Sequence, residues 1–296
     1  RDCLLSRGLG DVYKRQSKCS LPQMLSTERP DKAANHLLSG RVVVIVNGSP
    51  YVLIMPCVFV DFLSSAEDPN LKFQYANLLK FVRLVAFFIT LLLPGLYVAI
   101  TNFHQEIIPT ELLFAIVASR ESVPFPIIVE ILAMEISFEL IREASLRVPS
   151  PIGTTIGIIG ALILGQAAVE ASIVSPILII IVAITGITSF AIPDFYLSFH
   201  LRIVRFLYII AGFLAGFLGI GIVLFSHLVL LCSLKSFGVS YLAPFVPATS
   251  KNNKAYFMPP FWNREKRPDF LNTKRPQKEA RISMKWKYKI GGNNGN

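Results

Sequence analysis

Apolar residues gather into long unbroken runs along this chain, and polar residues into the stretches between them. The runs fall at about Phe81–Ile100, Ile152–Ser172, Ile177–Ile192 and Ile203–Leu234. Most match the length that a hydrocarbon core of about 30 Å requires of a helix. Arg83 sits near one end of the first run, placed to snorkel to an interface. Pro94-Gly95 lies near its other end, and Ser175-Pro176 makes a tight turn between the second and third. The last run carries Arg202 and Arg205 at its start and Gly212, Gly216, Gly219 and Gly221 inside. At about 1.5 Å per residue it is longer than one crossing needs. It forms either one tilted helix or two shorter ones bent at the glycines. We take it as one, giving four spans. If Ile127–Ile141 also crosses, making five or six, the last run must break in two to return the tail to the same side.

Between the first two runs the pattern changes. Residues 110–123 read as a short helix with a Thr cap, too short to span and suited to an interfacial or re-entrant position. Residues 127–147 read as an amphipathic helix. Glu135, Glu139 and Glu143 recur every four residues and share a face, with Arg142 and Arg147 in pairing distance on it. Met134, Phe138 and Ile141 lie opposite. Glu130 falls on that apolar side, where a polar group needs a partner or a wet cavity. From Ile152 to Ile192 only Glu170 carries a full charge, with Gln166 one turn before it. Gly153, Gly157, Ala161 and Gly165 recur at four-residue intervals, a stripe that lets another helix approach closely. Gly212 and Gly216 continue that theme in the last run.

The N-terminal part has a different grammar. Residues 1–16 show no periodicity and are set aside as a sequence scar. Pro30–Leu38 reads as a short helix ended by Gly40. Apolar strands follow on either side of Asn47-Gly48, a strong hairpin signal. Both are apolar at nearly every position, so they need cover on both faces. The chain therefore divides into 17–78, the end of a cytosolic α/β domain; 79–247, a membrane domain; and 248–296, a basic tail. The fold class is a mainly α-helical integral membrane protein with the end of an α/β domain at its N-terminus.

Composition sharpens this picture. Of 296 residues, 53% are hydrophobic and 16% charged, and mean hydropathy is +0.54, outside the range of ordinary soluble domains. From Pro247 onward there are twelve Lys/Arg against three Asp/Glu, which carries nearly all of the net charge of +10. Basic charge just beyond the last apolar run marks a cytoplasmic tail rather than a nucleic-acid-binding face. Cys3, Cys19, Cys57 and Cys232 show no paired spacing, and the sequence has no HExxH, phosphate loop or GxSxG elbow. We expect no enzyme activity, metal or cofactor. The candidates for an ion path are Glu130, Glu135, Glu139 and Glu170, because rings of acidic side chains select cations. The alternative is a surface-lying helix whose carboxylates face headgroups or pair with Arg142 and Arg147.

Many blocks, taken in order, carry a resemblance. They include Glu28-Arg29-Pro30-Asp31, Leu93-Pro94-Gly95-Leu96-Tyr97, Ile108-Pro109-Thr110-Glu111, Val123-Pro124-Phe125-Pro126, Met134-Glu135-Ile136, Phe138-Glu139-Leu140, Arg142-Glu143-Ala144, Gly165-Gln166-Ala167-Ala168, Ser236-Phe237-Gly238 and Tyr241-Leu242-Ala243-Pro244. Over about 25–275 the chain resembles the A subunit of GerA-type spore germination receptors. Ser145 departs from the family pattern, where Gly is usual, as does Pro69-Asn70, where two aromatics are expected. The resemblance implies a nutrient-responsive complex in the spore inner membrane, with N- and C-terminal parts cytoplasmic. It implies a transporter-like B subunit, a lipoprotein C subunit and a homo-oligomeric ring, plausibly pentameric, that acts as a ligand-gated cation channel. A non-conducting relay and a secondary transporter are the alternatives.

Overall fold

The computed structural model describes residues 20–147, 160, 163–247, 257–258, 267–271 and 273. They form two compact units. One holds the described residues up to Leu84, Pro193–Leu197 and those from Leu228 onward. The other holds Val85–Ile192 and Ser198–His227.

The first unit is built on a three-stranded antiparallel sheet, β1 (Leu25–Thr27), β2 (Val42–Ile45) and β3 (Val52–Met55), in the order β1-β3-β2. Helix α1 (Pro30–Leu38) precedes β2 and the short α2 (Phe59–Phe62) follows β3. Val42 pairs with Met55 and Ile45 with Val52, around the Asn47-Gly48 turn where Gly48 has φ +84°. Val42 and Ile45 stay 59% and 77% exposed, so the described residues do not supply all the cover this apolar hairpin calls for.

Arg41 holds the sheet to α2. Its guanidinium donates Nη1 to Asp61 Oδ2 at 2.5 Å and Nη2 to Oδ1 at 2.8 Å. Asp61 Oδ2 also accepts the Val58 N–H, capping α2. Burial alone pushes the Asp61 carboxyl up, but attraction and hydrogen bonds from Arg41 outweigh it and leave it below its ordinary value of 3.8. Chiefly through burial, the neighbouring Cys57 thiol is pushed up to about 12, which keeps it protonated.

The Ser236-Phe237-Gly238 block is a second hairpin, β4 (Lys235–Ser236) and β5 (Val239–Ser240). Phe237 and Gly238 both take positive φ at its turn. Ser236 Oγ donates to Gln23 O and accepts from the Cys57 N–H. The Phe59 N–H donates to Tyr241 O at 2.8 Å, and the fully buried Tyr241 ring packs on Phe59 and Phe62.

Among the described residues two helices are long and apolar enough to cross a membrane, α3 (Phe73–Phe103) and α7 (Phe195–Ser233). Between them come α4 (Thr110–Arg120), α5 (Ile127–Arg147), a helical stretch at 163–170 and the apolar α6 (Pro176–Phe190). Thr110 opens α4 rather than capping it; Pro109 holds the cap position. Arg83 does not snorkel. It donates to Asp68 Oδ2 at 2.7 Å, and the Asp68 side chain is itself buried.

The last apolar run is not one helix. Ala215 and Gly216 leave helical geometry, and Gly216 has φ +57° and ψ −138°. His200 and His227 would lie about 40 Å apart on a straight helix, yet their ring centroids are 5.5 Å apart. Residues 195–214 and 217–233 are therefore two arms folded back on each other. The reading as a single helix gave too little weight to Gly216. Only glycine readily takes its backbone angles. Small residues then let the arms close, since a Cβ on Gly219 would sit 2.2 Å from Ala211 O. Arm one begins at Asp194, whose side chain caps it through the Leu197 N–H, and at the turn the His104 ring stacks on Phe217 at 4.5 Å. His104 is thus part of the packing.

Two outcomes are expected. Gly216→Ala forces a strained backbone and brings a methyl within 3.2 Å of Phe103. It should cost about 1–3 kcal/mol, read as a lowered unfolding temperature in detergent. Asp61 is lowered on folding, so its contribution is present above 3.8 and is lost as pH falls below that value and through the folded-state value. Thermal unfolding followed from neutral to about pH 3 should show this acid loss in the native protein and a flatter limb in Asp61→Asn.

Candidate functional site

The second unit has an apolar core around Ile131, Leu178, Val182 and Ile209, yet it also buries charge and turns large apolar side chains outward. On α5, Glu130 and Glu135 are each 1% exposed, while Ile136 and Leu140 are 51% and 66% exposed. On α6, Thr185 and Ser189 are buried and Ile187 and Phe190 are each 70% exposed. Glu130 and Glu135 therefore both turn inward, Glu130 from the apolar side where periodicity placed it and Glu135 from the side it shares with Glu139. Helical periodicity groups residues by face but does not by itself say which face points inward.

Contacts fix how the helices run. Glu130 meets Ser175, and Arg142 meets Gly186 and Ser189, so α5 and α6 are parallel. Arm one of α7 is antiparallel to α5, with Arg205 on Glu135 and Arg202 on Glu139. Arm one also lies hard against α3. A Cβ on Gly95 would sit 2.8 Å from Tyr208 O, and one on Gly212 would sit 2.6 Å from Gly95 O. Thr90 donates to Thr188 at 2.9 Å, tying α3 to α6.

Three carboxylates of α5 have specific partners. Glu130 Oε1 accepts from Arg120 Nη2 at 3.0 Å and Oε2 accepts from the Ser175 N–H at 3.1 Å. Glu130 thus caps the start of α6 from another helix, using the free N–H groups and positive end of that terminus. Glu135 Oε2 lies 2.6 Å from Arg205 Nη2, with both side chains at least 98% buried. The half-buried Glu139 accepts from Arg202 Nη1 at 2.5 Å, and Arg142 Nη1 lies 3.6 Å from its other oxygen. Arg142 also donates to Ser189 Oγ at 2.8 Å and lies over the Phe190 ring. Three guanidiniums thus meet two carboxylates where α5, α6 and arm one converge. Such an interior is costly to desolvate and holds only if the charges stay paired.

The remaining candidates lie elsewhere. Glu170 and Gln166 are exposed on the 163–170 stretch, and Glu143 is exposed on α5. Gly165 is half-buried, and a Cβ there would sit 3.8 Å from Ile179; Gly216 forms the hairpin turn. Gly153, Gly157, Ala161 and the Arg147 side chain lie outside the described residues. Sequence reasoning missed Arg120, Arg202 and Arg205 as partners. Arg202 and Arg205 read as the polar start of a span, yet their i, i+3 spacing complements the i, i+4 spacing of Glu135 and Glu139. Among the described residues no three His, Cys, Asp or Glu side chains gather as a metal site.

Glu130→Ala leaves Arg120 and the Ser175 N–H without their acceptor. It should cost about 3–5 kcal/mol, while Glu130→Gln keeps an acceptor for Ser175 and should cost less. Unfolding temperatures of the two variants in detergent check the order.

The chain has recognisable relatives among known proteins. The profile described as Bacillus/Clostridium GerA spore germination protein matches residues 6–270. The chain is 46% identical to spore germination protein KA of Bacillus subtilis over 92% of its own length and 50% of that protein. It is 42% identical to spore germination protein GerLA of Bacillus cereus, over 92% of its length and 56% of that protein. It is also 41% identical to the uncharacterized membrane protein YfkQ of Bacillus subtilis, over 95% and 55%. The chain spans about half the length of these curated relatives. No solved structure matches it. The chain belongs to the GerA family of spore germination proteins.

Proposed function

We propose that this chain supplies the membrane portion of an A subunit of a nutrient-responsive germination receptor in the spore inner membrane, and that copies of it assemble around a cation path. The observation that carries this reading is the burial of ion pairs in a second unit whose outer helix faces are apolar. Ion pairs are held inside helices whose outer faces are apolar, as lipid or neighbouring copies would require. The basic tail and N-terminal unit lie on the cytoplasmic side. The family resemblance adds a B subunit that senses the nutrient and a lipoprotein C subunit.

The contacts favour six crossings over four. Helices α5 and α6 are parallel, which a count of six accommodates. The two arms of α7 go out and return. Together with α3 this gives an even number, leaving both ends of the membrane portion on one side.

A non-conducting relay is favoured by one observation: Glu130, Glu135 and Glu139 are all paired in this structure. Reconstitution separates the two readings. The full-length A subunit in planar bilayers, with and without B and C subunits, should give cation-selective potassium current. Assembled A subunits that carry none, even with their partners and nutrient, would leave the relay.

A further inference from the structure

We propose, resting on the channel reading above, that Arg202 and Arg205 are the resting-state counter-ions of the path. Arm one of α7 acts as a latch that keeps Glu135 and Glu139 from meeting cations, and opening withdraws it.

Both bridges sit on one rigid element. Arg202 and Arg205 lie one turn apart on arm one, and Glu139 and Glu135 one turn apart on the antiparallel α5. One displacement of the arm therefore breaks both together. While they hold, Glu135 is 1% exposed and both oxygens of Glu139 face guanidinium nitrogen. Arg142 cannot play this part. It sits on α5 with the acids and is tied to α6 through Ser189 and Phe190. It would travel with them.

The paired state is also incompletely satisfied. Arg205 Nε and Tyr208 Oη are buried on the same arm without a hydrogen-bond partner. Water reaching this site would supply both and would hydrate the released carboxylates, so the wet arrangement regains what the dry one forgoes. The arm has a surface suited to sliding. Midway along its contact with α3, Gly212 lies on Gly95 backbone to backbone beside Tyr208, with no side chain on either glycine. It ends at the Gly216 turn, a natural hinge.

The test uses spores carrying the full-length subunit with its B and C partners. Arg202→Gln and Arg205→Gln should release potassium in nutrient-free buffer at least several-fold faster than wild type at equal subunit level. Arg202→Lys and Arg205→Lys keep the charge and should stay tight. A merely structural role predicts less subunit and a weaker response to a mixture of amino acids, glucose and inosine, without nutrient-free release. Unchanged basal release in both Gln variants at normal level, or Lys variants as leaky as Gln, would overturn the latch. If the Gln variants do not accumulate, the swap of Glu139→Arg with Arg202→Glu decides. A swap that accumulates and stays tight supports the latch, and one that leaks overturns it. Absence of wild-type current in bilayers would instead remove the channel reading itself.

Discussion

Everything in the second unit depends on keeping charge paired away from water. A lone carboxylate or guanidinium in such surroundings is costly, and a well-placed pair roughly offsets its own desolvation. The unit therefore gains specificity more than stability from its bridges. Glu130 fixes where α6 begins, Glu135 fixes the height of arm one against α5, and Glu139 collects arginines from two helices. Shift any of these helices by a residue and at least one charge loses its partner. That constraint, rather than the interchangeable aliphatic contacts around it, selects one arrangement of these helices.

The first unit solves a similar problem with a different pair. Arg41 and Asp61 form a two-pronged pair that also caps α2, so one carboxylate serves both packing and helix start. Tyr241 and Ser236 insert from far along the chain and complete the same core. The Tyr-Leu-Ala-Pro and Ser-Phe-Gly blocks, distant in sequence, are thus held against Gln23, Cys57 and α2.

Much of the fold was legible in the pattern of residues. Asn47-Gly48 announced its hairpin because few dipeptides suit that turn. The short helix before Gly40 and the long apolar α3 were equally plain. The site was less legible, because pairing is a matter of three dimensions. Four-residue spacing placed Glu135 and Glu139 together but left open whether they lined a path or faced a surface, since periodicity does not say which face turns inward. Arg202 and Arg205 were visible only as the polar start of the last run. The break at Gly216 lay among four glycines, and only contacts such as His200 with His227 show which one turns the chain.

The short link after arm two has a mechanical meaning. The arm ends at Ser233, and only three residues later Ser236 is held on both sides, by Gln23 and Cys57. Lys235 is already in a strand by then. Such a tether has almost no slack. Three residues span at most about 11 Å, so the end of that helix cannot draw far from the residues flanking the sheet while those hydrogen bonds hold.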